Sequence, residues 1–304
     1  MELIRPGTHI DFIGKKKYTL WISAIALLIC LGSVFLFGGL KYGVDFAGGI
    51  LIQIKFSKPV DISEVRNAMD AMGSKEAMVQ AFGGENEFLI RIEKASEDLE
   101  VLSKKIQDSL QEQFKGKSAE IRRVEVVGPK VGRDLKEKAL YAVGLSFLAI
   151  LIYVAWRFKQ VSYGLGGIVA LVHDVIVVYG VISIAGIEYS LNVMAVILTV
   201  IGFSINDTIV IFDRVREDVK KFRKEDLETI FNTAINETLG RTVLTSGTVM
   251  MVVLILFFFG GAVIHDFAFA LIVGLISGTY STVYIASPVV LFWEKYISKG
   301  RGRS

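Results

Sequence analysis

Six long apolar stretches run through the chain, separated by polar segments of very unequal length. They cover approximately Tyr18–Gly38, Ala139–Ala155, Gly164–Ile184, Leu191–Phe212, Val243–Gly260 and Phe267–Trp293. A helix needs about 20 residues to cross a hydrocarbon core ~30 Å thick, so six transmembrane helices are predicted. The first follows Lys15, Lys16 and Lys17 in the manner of a signal peptide. It ends at "FLFGGLKYG" with no small-residue cleavage site and so reads as a retained anchor.

Between the first two apolar stretches the period changes. "GGILIQIKF" (Gly48–Phe56) alternates like a strand. "DISEVRNAMDAMG" follows as a helix capped by Asp61 or Ser63 and closed at Gly73. "AMVQAF" and "EFLIRIE" predict two strands joined through Gly83 and Gly84. "SEDLEVLSKKIQDSLQEQF" places Leu99, Leu102, Ile106 and Leu110 on one helical face, and "AEIRRVEVVG" returns as a strand. The order βαββαβ is a split-βαβ, ferredoxin-like α+β unit.

The predicted organisation is an N-terminal segment with the first helix (1–40), the βαββαβ domain (41–138), helices two to six (139–294) and a basic tail (295–304). Between helices four and five, Val215, Val219, Phe222, Ile230, Phe231, Ala234 and Ile235 recur at three- and four-residue steps. That periodicity predicts an amphipathic helix at about 213–240, lying on the membrane surface or against its neighbours.

Composition agrees with a membrane protein: 52% of the residues are hydrophobic and the mean hydropathy is +0.52. Net charge is only +3, but 17 of the 34 Lys and Arg fall before span one, between spans two and three, between four and five, and after six. The short loops "GIEY" and "GAVIHD" hold none. Positive-inside bias then places both termini in the cytoplasm and the α+β domain on the far side. The domain carries 17 acidic and 17 basic residues, so it has no nucleic-acid footprint. One cysteine, Cys30, rules out a disulfide framework or a cysteine-based metal site.

Gly, Ser and Thr recur in spans three to six, where small residues let helices approach closely. Ionisable residues in the spans are fewer. His173 and Asp174 lie in span three and Asn206, Asp207 and Thr208 in span four; Arg241 opens span five ahead of Thr242, Thr245, Ser246 and Thr248. A carboxylate at the centre of a spanning helix costs roughly 2.5–3.5 kcal/mol to insert, and such groups mark ion or proton paths by default. Span four runs inward and span five outward, so Asp207 and Arg241 share one membrane level. An aspartate–arginine pair that joins and separates would take up and release a proton, and one that stays closed would lock two helices together. Both readings stand for Asp207, as they do for Asp174. His173 reads equally as a cap for a neighbouring hydroxyl.

No phosphate loop or HExxH motif is present. None of the three histidines (His9, His173, His265) has a second at ligand spacing, so neither cofactor nor metal is expected.

Several segments together resemble the SecF family, the smaller membrane subunits of bacterial SecD–SecF complexes within the resistance-nodulation-division superfamily. "YGVDFAGG" (Tyr42–Gly49) is similar to that family's G-x-D-F-x-G-G signature, here Gly43, Asp45, Phe46, Gly48 and Gly49. "VEVVGPKVGRDL", "ALVHDV", "IGFSINDTIVIFDRVRED" (which includes Asp213 and Arg214) and "LGRTVLTSGT" follow in family order. Ala47 stands where threonine is frequent in the first signature, and Val249 where a further hydroxyl is common. The resemblance implies a non-enzymatic subunit of the bacterial inner membrane that uses the proton gradient to promote protein export. It implies Asp207 and Arg241 as the relay, with Asn206 beside them and Asp174 as a third member. The implied partners are a SecD-like subunit completing twelve spans, a SecYEG-type channel, unfolded secretory protein and the lipid membrane. A sodium-coupled version, a scaffold of the Sec channel and a small-molecule exporter of the same superfamily are the rival expectations.

Overall fold

The computed structural model describes residues 9–36, 39, 41–72, 77–82, 86–92, 99–114, 119–222 and 224–298. The expected end of the first span at Gly38, the helix stop at Gly73, the turn through Gly83 and Gly84, and the tail beyond residue 298 lie outside the described residues. The chain divides into two compact units: residues 41–141 with 188–191, and the remainder.

The α+β unit follows the alternation in its sequence. Strands β1 (Gly49–Lys55), β2 (Met78–Ala81), β3 (Glu87–Ile92) and β4 (Glu120–Val127) form an antiparallel sheet of order β2-β3-β1-β4. Central β1 sets Ile52 opposite Ile90 on one side and Val124 on the other, with a bulge between Gln53 and Ile54. Because side chains alternate along a strand, Ile50, Ile52 and Ile54 all point inward. They pack with Val65, Ala68 and Met69 of α3 (Ile62–Ala71) and Ile106 and Leu110 of α4 (Leu99–Gln113). Asp61, not Ser63, caps α3: its carboxylate accepts the Ser63 amide at 2.8 Å. Hydrogen bonds from the Ser63 side chain and amide hold that carboxyl below the usual aspartate range. One element has no counterpart in the alternation pattern, the single turn α2 (Val44–Ala47) inside the glycine signature.

The six apolar stretches are helical. Besides α1 (Lys16–Leu36), they form α5 (Pro129–Phe158), α6 (Val161–Ala185), α7 (Leu191–Lys221), α8 (Leu227–Phe259) and a last rod. That rod comprises α9 (Gly261–Ser281), a π-helical turn Thr282–Ala286, α10 (Ser287–Trp293) and a second π turn Glu294–Ser298. Helix α5 starts well before Ala139, because Pro129 suits the first helical position, where no amide partner exists. The α+β unit accordingly extends to Tyr141 and takes in the loop 188–191, so its limits differ from 41–138. Within the helical unit α7 and the last rod are the most buried, while α5 and α8 are the least.

The amphipathic helix expected at about 213–240 is not one element. Helix α7 carries its periodicity on to Lys221, and α8 begins anew at Leu227, where Asp226 accepts the Glu228 amide at 3.3 Å. An aspartate N-cap ends the preceding helical register, and the apolar period that crosses it in the sequence hides the break. Residues 10–13 lie along this part of α8. The Ile10 amide reaches Asn236 at 2.8 Å, and those of Phe12 and Ile13 reach Asn232 at 2.8 and 3.2 Å.

Helices α1 and α6 cross closely at Gly180, where an added Cβ would overlap the Cα and Cβ of Cys30. Backbone atoms cannot rotate aside, so Gly180→Ala must push the helices apart. We predict a loss of about 1–3 kcal/mol, measured as a lower thermal midpoint of the purified protein in detergent; an unchanged midpoint would refute the close crossing.

Candidate functional site: two carboxylates among hydroxyls

Asp174 is fully buried at the middle of α6. Three serine hydroxyls donate to its carboxylate: Ser204 of α7 and Ser281 of α9 to Oδ2, each at 2.7 Å, and Ser277 of α9 to Oδ1 at 2.6 Å. His173 Nδ1 lies 3.2 Å from Oδ1, and its ring stacks on Tyr280 with centroids 6.0 Å apart. Three helices thus meet at one carboxylate whose acceptor sites are filled. Hydrogen bonds of this charge-assisted kind are what a buried anion requires.

Asp207, one of the buried polar residues of α7, is held differently. It is 2% exposed, and its hydrogen bond is a long one of 3.4 Å from Ser246 of α8, a hydroxyl also 3.1 Å from Thr279 of α9. Arg241 is exposed, and among the described residues it forms no ion pair with Asp207. Asn206 is exposed too, since adjacent helical positions point about 100° apart. Thr245 bonds back to the Arg241 and Thr242 carbonyls of its own helix, at 3.0 and 3.1 Å, and so does not join the site.

Hydroxyls of α7 and the last rod also meet beside the Asp174 cage. Thr208, next to Asp207, donates to the Ser204 carbonyl at 3.1 Å and meets the Thr282 hydroxyl at 3.0 Å. Thr282 opens the π turn of the last rod. Pro288 explains that turn: it has no amide to offer Tyr284, and its ring crowds that carbonyl in a regular helix. The ladder widens, and the Ser287 hydroxyl donates to the Thr282 carbonyl at 3.3 Å. Wide turns of this type recur at functional sites.

Sequence reasoning placed Asp174, Asp207 and Ser246 but missed Ser204, Ser277, Thr279, Ser281 and Thr282 as partners. The signal was present in "GLISGTYSTVYIAS", where Ser277 and Ser281 stand four apart and so share a helical face. Small residues also pack helices, so spacing alone does not separate the two uses.

The remaining signature residues of α7 lie at its far end. Asp213 pairs with Arg157 of α5 at 3.0 Å. Arg214 contacts Glu217 at 2.9 Å and Asp218 at 3.6 Å, and also pairs with Glu237 of α8. Asp218 is 1% exposed, and its carboxylate accepts no hydrogen bond among the described residues. An amide is cheaper to bury there, so Asp218→Asn should raise stability by about 1 kcal/mol. A lowered thermal midpoint would count against that assignment.

Among the described residues no cluster of His, Cys, Asp and Glu is arranged to hold a metal ion. The family model "Protein export membrane protein SecD/SecF, C-terminal" matches residues 105–296, and the "SecD/SecF GG Motif" matches 34–60. Protein translocase subunit SecF of Desulfurispirillum indicum is 43% identical over 95% of this chain and 93% of its own length. The same subunit of Pseudomonas aeruginosa is 42% identical over 97% and 94%. The crystal structure of SecDF from Thermus thermophilus, a translocon-associated membrane protein, superposes with a TM-score of 0.85 at 34% identity, covering 95% of this chain and 39% of that one. A super-membrane-facing form of SecDF gives a TM-score of 0.70 at 35% identity, covering 99% and 41%. The present chain therefore spans about two fifths of the SecDF polypeptide. With two family models in their expected order and full-length relatives above 40% identity, this six-helix chain belongs to the SecF branch of the SecD/SecF family of protein export membrane proteins.

Proposed function

We propose that this chain works in the cytoplasmic membrane as a SecF subunit that uses an ion gradient to promote late steps of protein export. A SecD-like half completes the twelve-span unit, and a SecYEG-type channel supplies the emerging secretory protein. Asp207 is the ion-binding carboxylate and Arg241 its movable counter-ion. The α+β unit lies on the extracytoplasmic side and both termini in the cytoplasm, in keeping with the positive-inside charge distribution. No chemical transformation of substrate is part of this role.

One observation carries the reading. Among the described residues the buried Asp207 carboxylate accepts one long hydroxyl contact, and no ion pair joins it to its candidate partner Arg241. A lock would hold the pair closed, as Asp213 is held by Arg157. A carrier needs a state in which the carboxylate is free to take an ion. One proton moving down ~150 mV supplies about 3.5 kcal/mol, more than the cost of placing the carboxylate in the membrane.

The test is export of a secretory precursor into proteoliposomes holding the channel and the complete SecD–SecF complex, with an imposed gradient. Stimulation should vanish with a protonophore if the ion is H⁺, or with sodium removal if it is Na⁺. Stimulation that survives both treatments would refute gradient use and favour the scaffold.

A further inference from the structure

The ion relay makes no use of the glycine signature, yet residues 42–49 form a built contact within the α+β unit. They grip residues 188–191, the loop that leads into α7. Tyr42 and Tyr189 form a parallel bridge; the Gly43 amide donates to the Tyr189 carbonyl at 2.9 Å, and the Tyr189 amide to Lys41 at 2.7 Å. The Phe46 ring stacks on Tyr189 with centroids 5.2 Å apart, and Tyr42 meets it edge-on at 5.9 Å. Arg91 of β3 pairs with Glu188 at 2.8 Å and donates to the Tyr42 carbonyl, which ties the loop to the sheet. Gly48, at φ +77°, turns the chain into β1 where a Cβ would lie 3.0 Å from the Pro129 Cα, so a side chain there is doubly disfavoured.

The decisive contact is polar. Asp45 Oδ2 accepts the amide of Leu191 at 2.9 Å, and Leu191 is the first residue of α7. The first amides of a helix have no partner within it, and an aspartate is among the best acceptors for them. Helix α7 runs unbroken from Leu191 to Lys221, so Asp207 follows on the same rod about 24 Å further along at 1.5 Å per residue. A rod of hydrogen-bonded backbone transmits a shift of its middle to its end.

We propose that Asp45 is a positioning residue that fastens the head of α7 to the α+β unit, so that movement of the Asp207-bearing helix is delivered to that unit. This rests on reading Asp207 as the ion carrier. The aspartate acts as a short acceptor for the Leu191 amide, and its charge is incidental.

The experiment uses the proteoliposomes described above, with two readouts for each variant: ion movement through the complex and gradient-stimulated export. Asp45→Ala should move ions as the wild type does and lose gradient stimulation of export. Asp45→Ser and Asp45→Asn keep an acceptor at helix-capping reach and should restore it. If Asp45→Ala does not accumulate, Asp45→Glu carries the comparison, because it keeps the charge and moves the acceptor away from the amide. Wild-type export in Asp45→Ala or Asp45→Glu, or failure of Ser and Asn alongside Ala, would overturn the coupling role alone. A wild-type complex that moves no ions would overturn the ion-carrier reading and this proposal with it.

Discussion

Cells whose only copy of this protein carries Asp207→Asn are expected to export secretory precursors at the rate seen without an ion gradient, while the protein remains at its normal level in the membrane. The two halves of that expectation have separate causes. Asparagine matches aspartate in volume and keeps an oxygen for the Ser246 hydroxyl, now 3.4 Å from the carboxylate. It also removes an ionisable group from a position only 2% exposed, where an unpaired charge is costly. Folding therefore loses nothing and abundance holds. On the proposed carrier role, what disappears is the capacity to bind and release an ion, and with it the contribution of the gradient. Asp207→Asn export that still responds to the gradient would sink the carrier role. Loss of the protein from the membrane would mean that Asp207 is structural first, as in the scaffold reading. Removal of Arg241, which is exposed and among the described residues forms no ion pair with Asp207, is likewise expected to leave abundance intact. A static lock predicts the opposite.

The sequence made much of this legible because two periodicities carried it. Runs of about 20 apolar residues and the alternation in Gly48–Phe56 depend only on solvent and backbone geometry, and both reappear as helices and as β1. The residues that failed to show themselves are those whose role depends on a partner helix. Ser204, Ser277 and Ser281 read as packing residues until α6, α7 and α9 converge and aim all three hydroxyls at Asp174. Asn206 erred the other way: adjacency in sequence suggested a shared role with Asp207, and the helix turns it outward. A shared membrane level did not bring Asp207 and Arg241 into an ion pair among the described residues, because level fixes height along the helices and not the direction of a side chain. The break between α7 and α8 was hidden because apolar spacing continues across an N-cap that only Asp226 marks.

The same hydroxyls set the second large expected effect. Replacing Ser204, Ser277 and Ser281 together by alanine should destabilise the protein by about 3–5 kcal/mol, the range found when a buried charge loses its partners. Asp174 has no exposed surface, so water cannot replace the three donors at 2.6–2.7 Å. His173, 3.2 Å away and on the same helix, supplies at most one contact to Oδ1 and none to Oδ2. Adding Asp174→Leu to the triple alanine variant removes the stranded charge and should recover most of the stability, although the same substitution alone takes the acceptor from the Ser204 and Ser277 hydroxyls and leaves Ser281 only the Gly278 carbonyl. That reversal of sign is the signature of one coupled network. Ser246→Ala, which removes a bond of 3.4 Å to Asp207, should cost under about 1 kcal/mol by comparison. Thermal unfolding of the purified variants, followed by tryptophan fluorescence, measures all four. A triple alanine variant that unfolds with the wild type would show that Asp174 is not held as a caged anion, and would return it to the set of candidate ion carriers.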